Sequence, residues 1–599
     1  MSSDPTPASS IDEKREPAHA AADLEGGHLG RTDSEIEKDG GEVQLFRTDA
    51  AAAGLKTAAD GVTVLLPQPS DDPNDPLNWS STKKHTILLI LAFAAFCGDF
   101  QSGAGIPLLS SQAAEWGMTL NDVNKAGNLN VLLLGLGGLV WIPCVVDSAE
   151  LDRTCAELTF RLFSPLYFWG RLPVLFWTQF LGTMMILGSV LVTSFDQYYA
   201  LRPLTSLFLT ASQTIGLTFL KVSVLPSVSA RPSALGVDVL PLQDMFYFHE
   251  HARKIGIWIG IFLSSPYFGP FLGGFMVDGL DGQWRPVLWL VFAFSVGILL
   301  SIIFLADETW YDRTLAAQPV RETGIIARIK KLVGITAFQQ RQYKASVAAC
   351  CLRLGEVCIK PVVLVVFVIY ALSFMWAVGI NITSSILFAT PKEAGGYGLP
   401  LTKISGLYAT PLVALFIGEV FGHWANDAVA DWHARRNGGI AIPERRLFTF
   451  FVAAFVMIPG LVIVGQALHL QLNIAAVIIG WGMYVVGVMV ASVAVTAYVL
   501  DCYPTASGEV SALVNLSRTI SGFSVGYYQM SWGEKAGFNV SFGSESRSPL
   551  IASVGTQLIL SHLAVQAAIV AGATILVAIL ILTGARLRQL GGPLRHSAH

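Results

Sequence analysis

Charge is scarce in this chain. Asp, Glu, Lys and Arg supply 14% of its 599 residues while 53% are hydrophobic, against roughly a quarter charged in soluble domains. The deficit is uneven: residues 1–75 are rich in Asp, Glu, Lys, Ser and Ala, and most of the rest is not. With a mean hydropathy of +0.54, the side chains must lie in lipid or in an implausibly large core. The formal net charge of −4 is too small to indicate nucleic acid as a partner. Seven cysteines (97, 144, 155, 350, 351, 358, 502) show no paired or metal-type spacing, so neither a disulfide framework nor a metal site is indicated. The sequence lacks a phosphate-binding Gly-x-x-x-x-Gly-Lys-Ser/Thr loop, which disfavours ATP-driven transport. It also lacks a Gly-x-Ser-x-Gly elbow and a His-Glu-x-x-His pair, so no soluble enzyme and no cofactor are expected. Residues 1–60 hold no apolar signal-peptide core and read as a disordered tail. No sustained polar/apolar alternation supports a β-barrel.

What is present is a series of apolar runs long enough to span a bilayer, which takes about 20 residues each. They fall at 85–106, 126–143, 172–194, 199–221, 254–277, 285–306, 361–388, 404–428, 447–468, 472–499, 509–532 and 566–584. The expected fold is therefore all-α and polytopic, with twelve transmembrane helices in two six-helix halves. The halves span 85–306 and 361–584, joined by a loop at 307–360 and flanked by tails at 1–84 and 585–599. Lys and Arg concentrate on alternate connections: Lys83, Lys84, Arg171, Arg253, Lys254, the central loop, Arg435, Arg436, Arg445, Arg446, Arg586 and Arg588. The positive-inside rule then puts both termini and the central loop in the cytoplasm. Of the Asn-x-Ser/Thr sequons, only Asn539 falls in an expected outer loop, which makes it the glycosylation candidate.

Four stretches carry a family likeness. They are Asp75-Pro76-Leu77-Asn78-Trp79-Ser80 with Lys83-Lys84; Gly170-Arg171-Leu172-Pro173; Asp244 to Gly256 leading into Gly269-Pro270-Phe271-Leu272-Gly273-Gly274; and Asp501-Cys502-Tyr503-Pro504 with Gly508-Glu509, Asn515 and Arg518. In this order the chain resembles the major facilitator superfamily, specifically its fungal twelve-helix drug:proton antiporters, over nearly all of residues 72–588. The resemblance implies a carrier of a small organic molecule that exchanges it for protons by alternating access. It also implies a plasma-membrane location, in lipid and as a monomer. One departure is visible: Phe168-Trp169 stands where the family usually carries an Asp before Gly170-Arg171. Gly422-His423, Asp427, Asp431 and Arg435-Arg436 form a better copy of that acidic/basic pattern in the second half.

Ionisable residues inside spans are costly and so are candidates for chemistry. Asp99 in helix 1 suits a proton carrier, or else a hydrated residue near the helix end. Glu419 and His423, at i and i+4, share a helix face and form either a proton relay or an interfacial pair. Arg202 resembles the superfamily's helix-4 arginine, linked in relatives to proton transfer; alternatively it anchors at the outer interface. Gly269, Pro270, Gly273 and Gly274 suit a closely packed, bent helix that rocks between states, and Gly170-Arg171 joins them as a conformational motif by resemblance. Arg518 lies deep enough in its span to need a partner that the sequence does not name. Gln213, Trp376, Asn381, Tyr484 and Gln529 are candidates for an apolar cavity with a few polar anchors. The rival readings are an uncoupled facilitator and a non-transporting sensor on the same scaffold.

Three stretches, 144–164, 222–243 and 544–565, interrupt this pattern and lengthen connections well beyond those usual between bundle helices. Deleting each rejoins family-like text. Val222-Ser223 and Ser544-Glu545-Ser546 can both be encoded through GTGAGT, and Gln243 through CAG, the usual donor and acceptor sequences of an intron. Translated introns are thus the expectation, and lineage-specific surface loops the alternative. Sequencing of cDNA should return the shortened transcript as the dominant species; a dominant transcript carrying all three stretches would remove the idea.

Overall fold

A computed structural model describes residues 43–44, 72–73, 75–141, 171–220, 245–246, 248–309, 324–336, 347–389, 391, 397–436, 440–503, 506–536 and 552–592. Two of the three interrupting stretches, 144–164 and 222–243, lie outside them, as do Gly170 and Asn539.

The entry to the first span shows how local chemistry starts the bundle. Asp75 Oδ1 accepts from the Leu77 backbone N–H at 3.0 Å and initiates a 3-10 turn, Pro76–Asn78. The Ser80 hydroxyl then accepts from the Lys83 N–H and caps helix α1, Ser81–Ala104. Lys84 Nζ returns to the Leu77 carbonyl at 2.8 Å, and Lys83 Nζ sits 3.8 Å above the Trp79 ring. The helix therefore begins at Ser81 rather than 85, and the last residues assigned to a disordered tail are ordered by these caps.

Beyond α1 come α2 (Leu109–Trp116), α3 (Leu120–Trp141), α4 (Arg171–Leu191), α5 (Phe195–Leu209), α6 (Ala211–Leu220), α7 (Phe248–Gly279) and α8 (Arg285–Leu305). Two linker helices follow, α9 (Ile325–Val333) and α10 (Val347–Cys358). The second half holds α11 (Pro361–Ala389), α12 (Leu401–Leu407), α13 (Ala409–Arg436), α14 (Phe448–His469), α15 (Ile474–Cys502), α16 (Ser507–Ala536) and α17 (Ala552–Gly591). The last helix begins at Ala552, so the later part of the stretch 544–565 runs helically into the final span. Among the described residues, one two-residue antiparallel pairing, Val43–Gln44 with Ile440–Ala441, is the exception to an all-helical description.

Among the described residues, nine helices are long and apolar enough to cross a membrane. The other three expected spans fall on α3, on α5 followed by α6, and on α16, which are helical but more polar or broken. Helix α3 carries Asn124, Asn128 and Asn130, all buried; α5 and α6 part at Thr210; α16 carries Ser511, Asn515, Ser517, Arg518, Thr519 and Ser521, likewise buried. These elements pack on one another, α3 against α5 and α16, and α6 against α16. A helix sheltered from lipid by its neighbours does not have to be apolar all round. The halves also meet where α7 packs on α12 and α13.

The Gly269 motif works through close packing and hydrogen-bond accounting. A methyl group at Gly269 would lie 2.3 Å from the Ala104 backbone nitrogen and 2.5 Å from the Gly103 carbonyl carbon, so α7 crosses α1 backbone to backbone. Helix α7 continues through Pro266 and Pro270, each of which lacks the N–H that would bond the carbonyl four residues earlier. Both freed carbonyls find donors. Ser265 Oγ donates to Phe262 O at 2.6 Å, and Asn381 Nδ2, from α11 in the other half, donates to Pro266 O at 3.2 Å. Gly269→Ala should cost about 1–3 kcal/mol of stability by forcing backbone apart, read as a lower thermal midpoint and yield. Gly297→Ala, where no atom lies within 4 Å of the added methyl, serves as the unaffected control; equal behaviour of the two would refute the packing argument.

Candidate functional site

Arg518 of α16 finds its partner across the bundle. Its Nη1 donates to Asp99 Oδ2 of α1 at 2.9 Å, and each side chain is only 5% exposed. The two lie 419 residues apart and belong to opposite halves. Arg518 Nη2 donates to Asn515 Oδ1 at 2.8 Å, one turn earlier. Asn515 Nδ2 in turn reaches the Leu134 carbonyl of α3 and Thr210 Oγ1, each at 3.3 Å. Thr210 sits at the break between α5 and α6 and also donates to Leu134 O. On its remaining faces the guanidinium meets the rings of Phe262 and Phe374, 4.8 and 5.7 Å from their centroids. Gln213, expected to line a cavity, donates to Ala95 O of α1 at 3.2 Å.

A second polar group lies toward the far end of α1. Gln101 Nε2 donates to Asn130 Oδ1 (3.0 Å) and Ser206 Oγ (2.6 Å), Ser206 Oγ donates to Asn130 Oδ1 (2.6 Å), and Asn130 Nδ2 donates to Ser102 Oγ (2.7 Å). Arg202 of α5 places Nη2 on the Ser102 carbonyl at 2.9 Å and the Gln101 carbonyl at 3.3 Å, with Nη1 on the Tyr198 hydroxyl. These carbonyls end α1, where the last turn leaves acceptors unmatched and the helix dipole is negative. Arg202 is buried and caps the end of a helix inside the bundle.

Both groups border one cavity of about 900 Å³ including its mouth. Asp99 and Arg518, Gln112 of α2, Asn124 of α3, Arg202 and Tyr198 all border it. Pro266, Tyr267, Phe374, Val378 and Asn381 complete much of the wall. Asn381 is thus at once a wall residue and the donor to the Pro266 carbonyl. Trp376 and Tyr484 are buried but do not border this cavity; the Tyr484 hydroxyl donates to Ser373 O at 2.7 Å.

The other candidates sit elsewhere. A methyl group at Gly260 of α7 would lie 3.1 Å from Glu419 Cδ of α13, so Glu419 marks a contact between halves. The side chains of His423 and Gln529 lie outside the described residues. Gly274 faces Ser405 and Gly273 faces Pro107. Arg171 Nη1 donates to Thr309 Oγ1 at 3.0 Å, while the Leu172 N–H donates to Glu308 Oε2 at 3.1 Å, tying the start of α4 to the end of α8. Glu509 ion-pairs with Arg353 of linker helix α10 at 3.0 Å, each side chain 1% exposed. At the same face Arg446 meets Asp501 (2.6 Å), Arg588 meets Glu444 (2.8 Å) and Lys83 meets Asp307 (2.9 Å). Burial alone would raise the Asp307 carboxyl; the Lys83 hydrogen bond and the charges of Lys83, Lys331 and Arg328 outweigh it and hold the group below its ordinary value.

Gln112, Asn124, Asn128, Asn130, Gln101 and Tyr267 belong to the site without having been among the candidates from sequence. A signal was there: Asn124 and Asn128, four apart, form a polar row on one face of a helix in an apolar chain.

The model of the family described as "Major Facilitator Superfamily" matches residues 242–526. That match covers just under half of the chain and marks a likeness to the major facilitator superfamily. The chain is 28% identical over 260 residues to Protein HOL1 of Saccharomyces cerevisiae, covering 43% of this chain and 36% of that one. It is 26% identical over 304 residues to the Multidrug transporter FLR1 of Candida glabrata, covering 50% of this chain and 44% of that one. The chain thus spans less than half the length of these curated relatives. A longer alignment, 21% identical over 543 residues, covers 86% of the chain and 90% of the Efflux pump radE of Floropilus chiversii. Among solved superfamily structures, the proton:xylose symporter XylE bound to 6-bromo-6-deoxy-D-glucose aligns at a TM-score of 0.49 and 11% identity, covering 84% of this chain and 96% of that one. With nine helices among the described residues long and apolar enough to cross a membrane, the protein is a multi-pass membrane protein.

Arg518→Met should leave the Asp99 carboxylate buried without its cation, at a cost of about 3–5 kcal/mol. The double variant Asp99→Asn, Arg518→Met should recover most of that stability, since the charges are removed together. Thermal midpoints in one detergent decide it: a double variant as unstable as the single one would contradict the pairing.

Proposed function

We propose that this chain is a secondary active transporter that moves a small organic molecule by alternating access and exchanges it for protons. The observation that carries the reading is the Asp99–Arg518 pair, which joins the two halves on the wall of the cavity. Intact, the pair draws α1 and α16 together in a low-dielectric interior, where the attraction is strong. A proton on Asp99 discharges it and weakens the tie between the halves, so protonation and rocking become linked. The Asn381 bond to the Pro266 carbonyl is a second tie, across α7 and α11; it can open and close without a change in charge.

The likeness to FLR1 and radE, a multidrug transporter and an efflux pump, supports export as the direction. A plasma-membrane location, cytoplasmic termini and a monomeric state complete the proposal. Transport, rather than catalysis, is the activity expected of the site.

The test is uptake and efflux of a substrate panel in cells expressing the chain, beside a form without 144–164, 222–243 and 544–565, each with and without a protonophore. Net transport should collapse with the proton gradient. Asp99→Asn should keep downhill exchange at a rate within about tenfold of the parent while losing its dependence on pH, as expected when only the coupling group is removed. Transport indifferent to the protonophore would leave an uncoupled facilitator, and silence in both forms at confirmed membrane levels would remove the transport reading.

A further inference from the structure

The cavity wall carries three formal charges, Asp99, Arg202 and Arg518. Asp99 answers Arg518, which leaves one positive charge over. Arg202 is 4% exposed, and its donors go to neutral acceptors, the Tyr198 hydroxyl and two backbone carbonyls. Among the described residues no carboxylate pairs with it. Glu115 of the neighbouring helix α2 is committed to Arg285 at 2.8 Å and to the Trp284 ring N–H at 2.6 Å.

Three amides lie on the same wall. Gln112 is 1% exposed, Asn124 4% and Asn128 5%. Gln112 Nε2 and Asn124 Nδ2 are buried donors with no hydrogen-bond partner, and Asn128 Oδ1 is a buried acceptor with none. A buried cation without a counter-ion and buried donors without acceptors are both costly, and native structures keep such groups where a ligand completes them. What completes this set is a group with one negative charge and several acceptor lone pairs. A carboxylate fits it on both counts: it accepts from guanidinium and amide N–H together, and its single charge equals the excess on the wall. A phosphate near neutral pH would exceed that charge. The same wall carries Tyr267, Phe374 and Val378, with Phe374 beside Arg518, suited to an apolar or aromatic body.

We propose that the transported molecule is a monoanionic organic acid whose carboxylate sits on Arg202 with the amides of Gln112 and Asn124, its apolar body lying against Tyr267 and Phe374. This rests on the transport reading above and names the substrate class for the same cavity. It gives the two ions separate places on one wall, the carboxylate at Arg202 and the proton at Asp99.

The test is binding of three probes with one indole body, indole-3-acetate, indole-3-acetamide and tryptamine, to the purified full chain, with transport of the same three in proteoliposomes. The carboxylate should bind at least about tenfold more tightly than the amide, the factor set by one charge-assisted contact, and tryptamine more weakly still. Arg202→Gln should bring carboxylate and amide to about parity, and Arg202→Lys should restore part of the preference. Asn124→Leu should lower carboxylate affinity alone. The selectivity ratio is the deciding readout, because a merely structural role for Arg202 would weaken all three probes equally. Binding or transport that favours the amide or the amine, or a ratio unchanged in Arg202→Gln, overturns the assignment and leaves the transporter reading standing. No binding and no transport of any probe by a well-folded chain would overturn both.

Discussion

One buried ion pair organises the centre of this protein. Asp99 and Arg518 are each almost fully buried, and neither could be held there as a charge alone. Their mutual presence is what permits α1 and α16 to carry ionisable groups so deep. The rest follows outward: Asn515 orients the guanidinium, Thr210 and Leu134 hold Asn515, and two phenylalanine rings enclose what remains. The pair therefore fixes how the two halves face each other, and any change in its charge bears on both.

Around that pair the bundle is held by contacts between backbones. Helices α1 and α7 cross where Gly269 meets the turn at Gly103 and Ala104, because only a missing Cβ admits such an approach. The prolines of α7 free two carbonyls, and the chain supplies a donor to each, one from the same helix and one from the opposite half. In a solvent that offers no hydrogen bonds, an open backbone acceptor has to be closed in this way. Here one of those closures doubles as a contact across the cavity.

Polarity is distributed by shelter. Helices α3, α6 and α16, which pack across the junction of the halves, and α5 behind α3 carry most of the asparagines, serines and arginines of the site, while helices such as α8 and α14 are apolar. The same partition explains why charges on the wall must be counted together. An excess charge cannot be neutralised by bulk water inside a sheltered cavity, so it selects what enters.

Most of the architecture was legible in the residues taken in order. Lipid demands long apolar helices, and a demand that strong writes the spans, the connections and the clustered basic residues into the local text; Asp75, Ser80 and the Gly269 motif could be marked the same way. The site was legible only as a set of suspects. Arg518 visibly needed a partner and Asp99 visibly lacked one, yet nothing local joins positions 419 residues apart, since their meeting depends on how two helices are rotated in the folded bundle. Arg202 read equally well as an anchor at the membrane surface. Its burial against the end of α1 was decided by the packing of α5, as were the placing of Trp376 and Tyr484 away from the cavity and of Gln112 and Asn124 upon it. Sequence alone determined which segments leave water, because each residue's cost of solvation is its own; tertiary structure decided which charges meet, because that is a property of pairs.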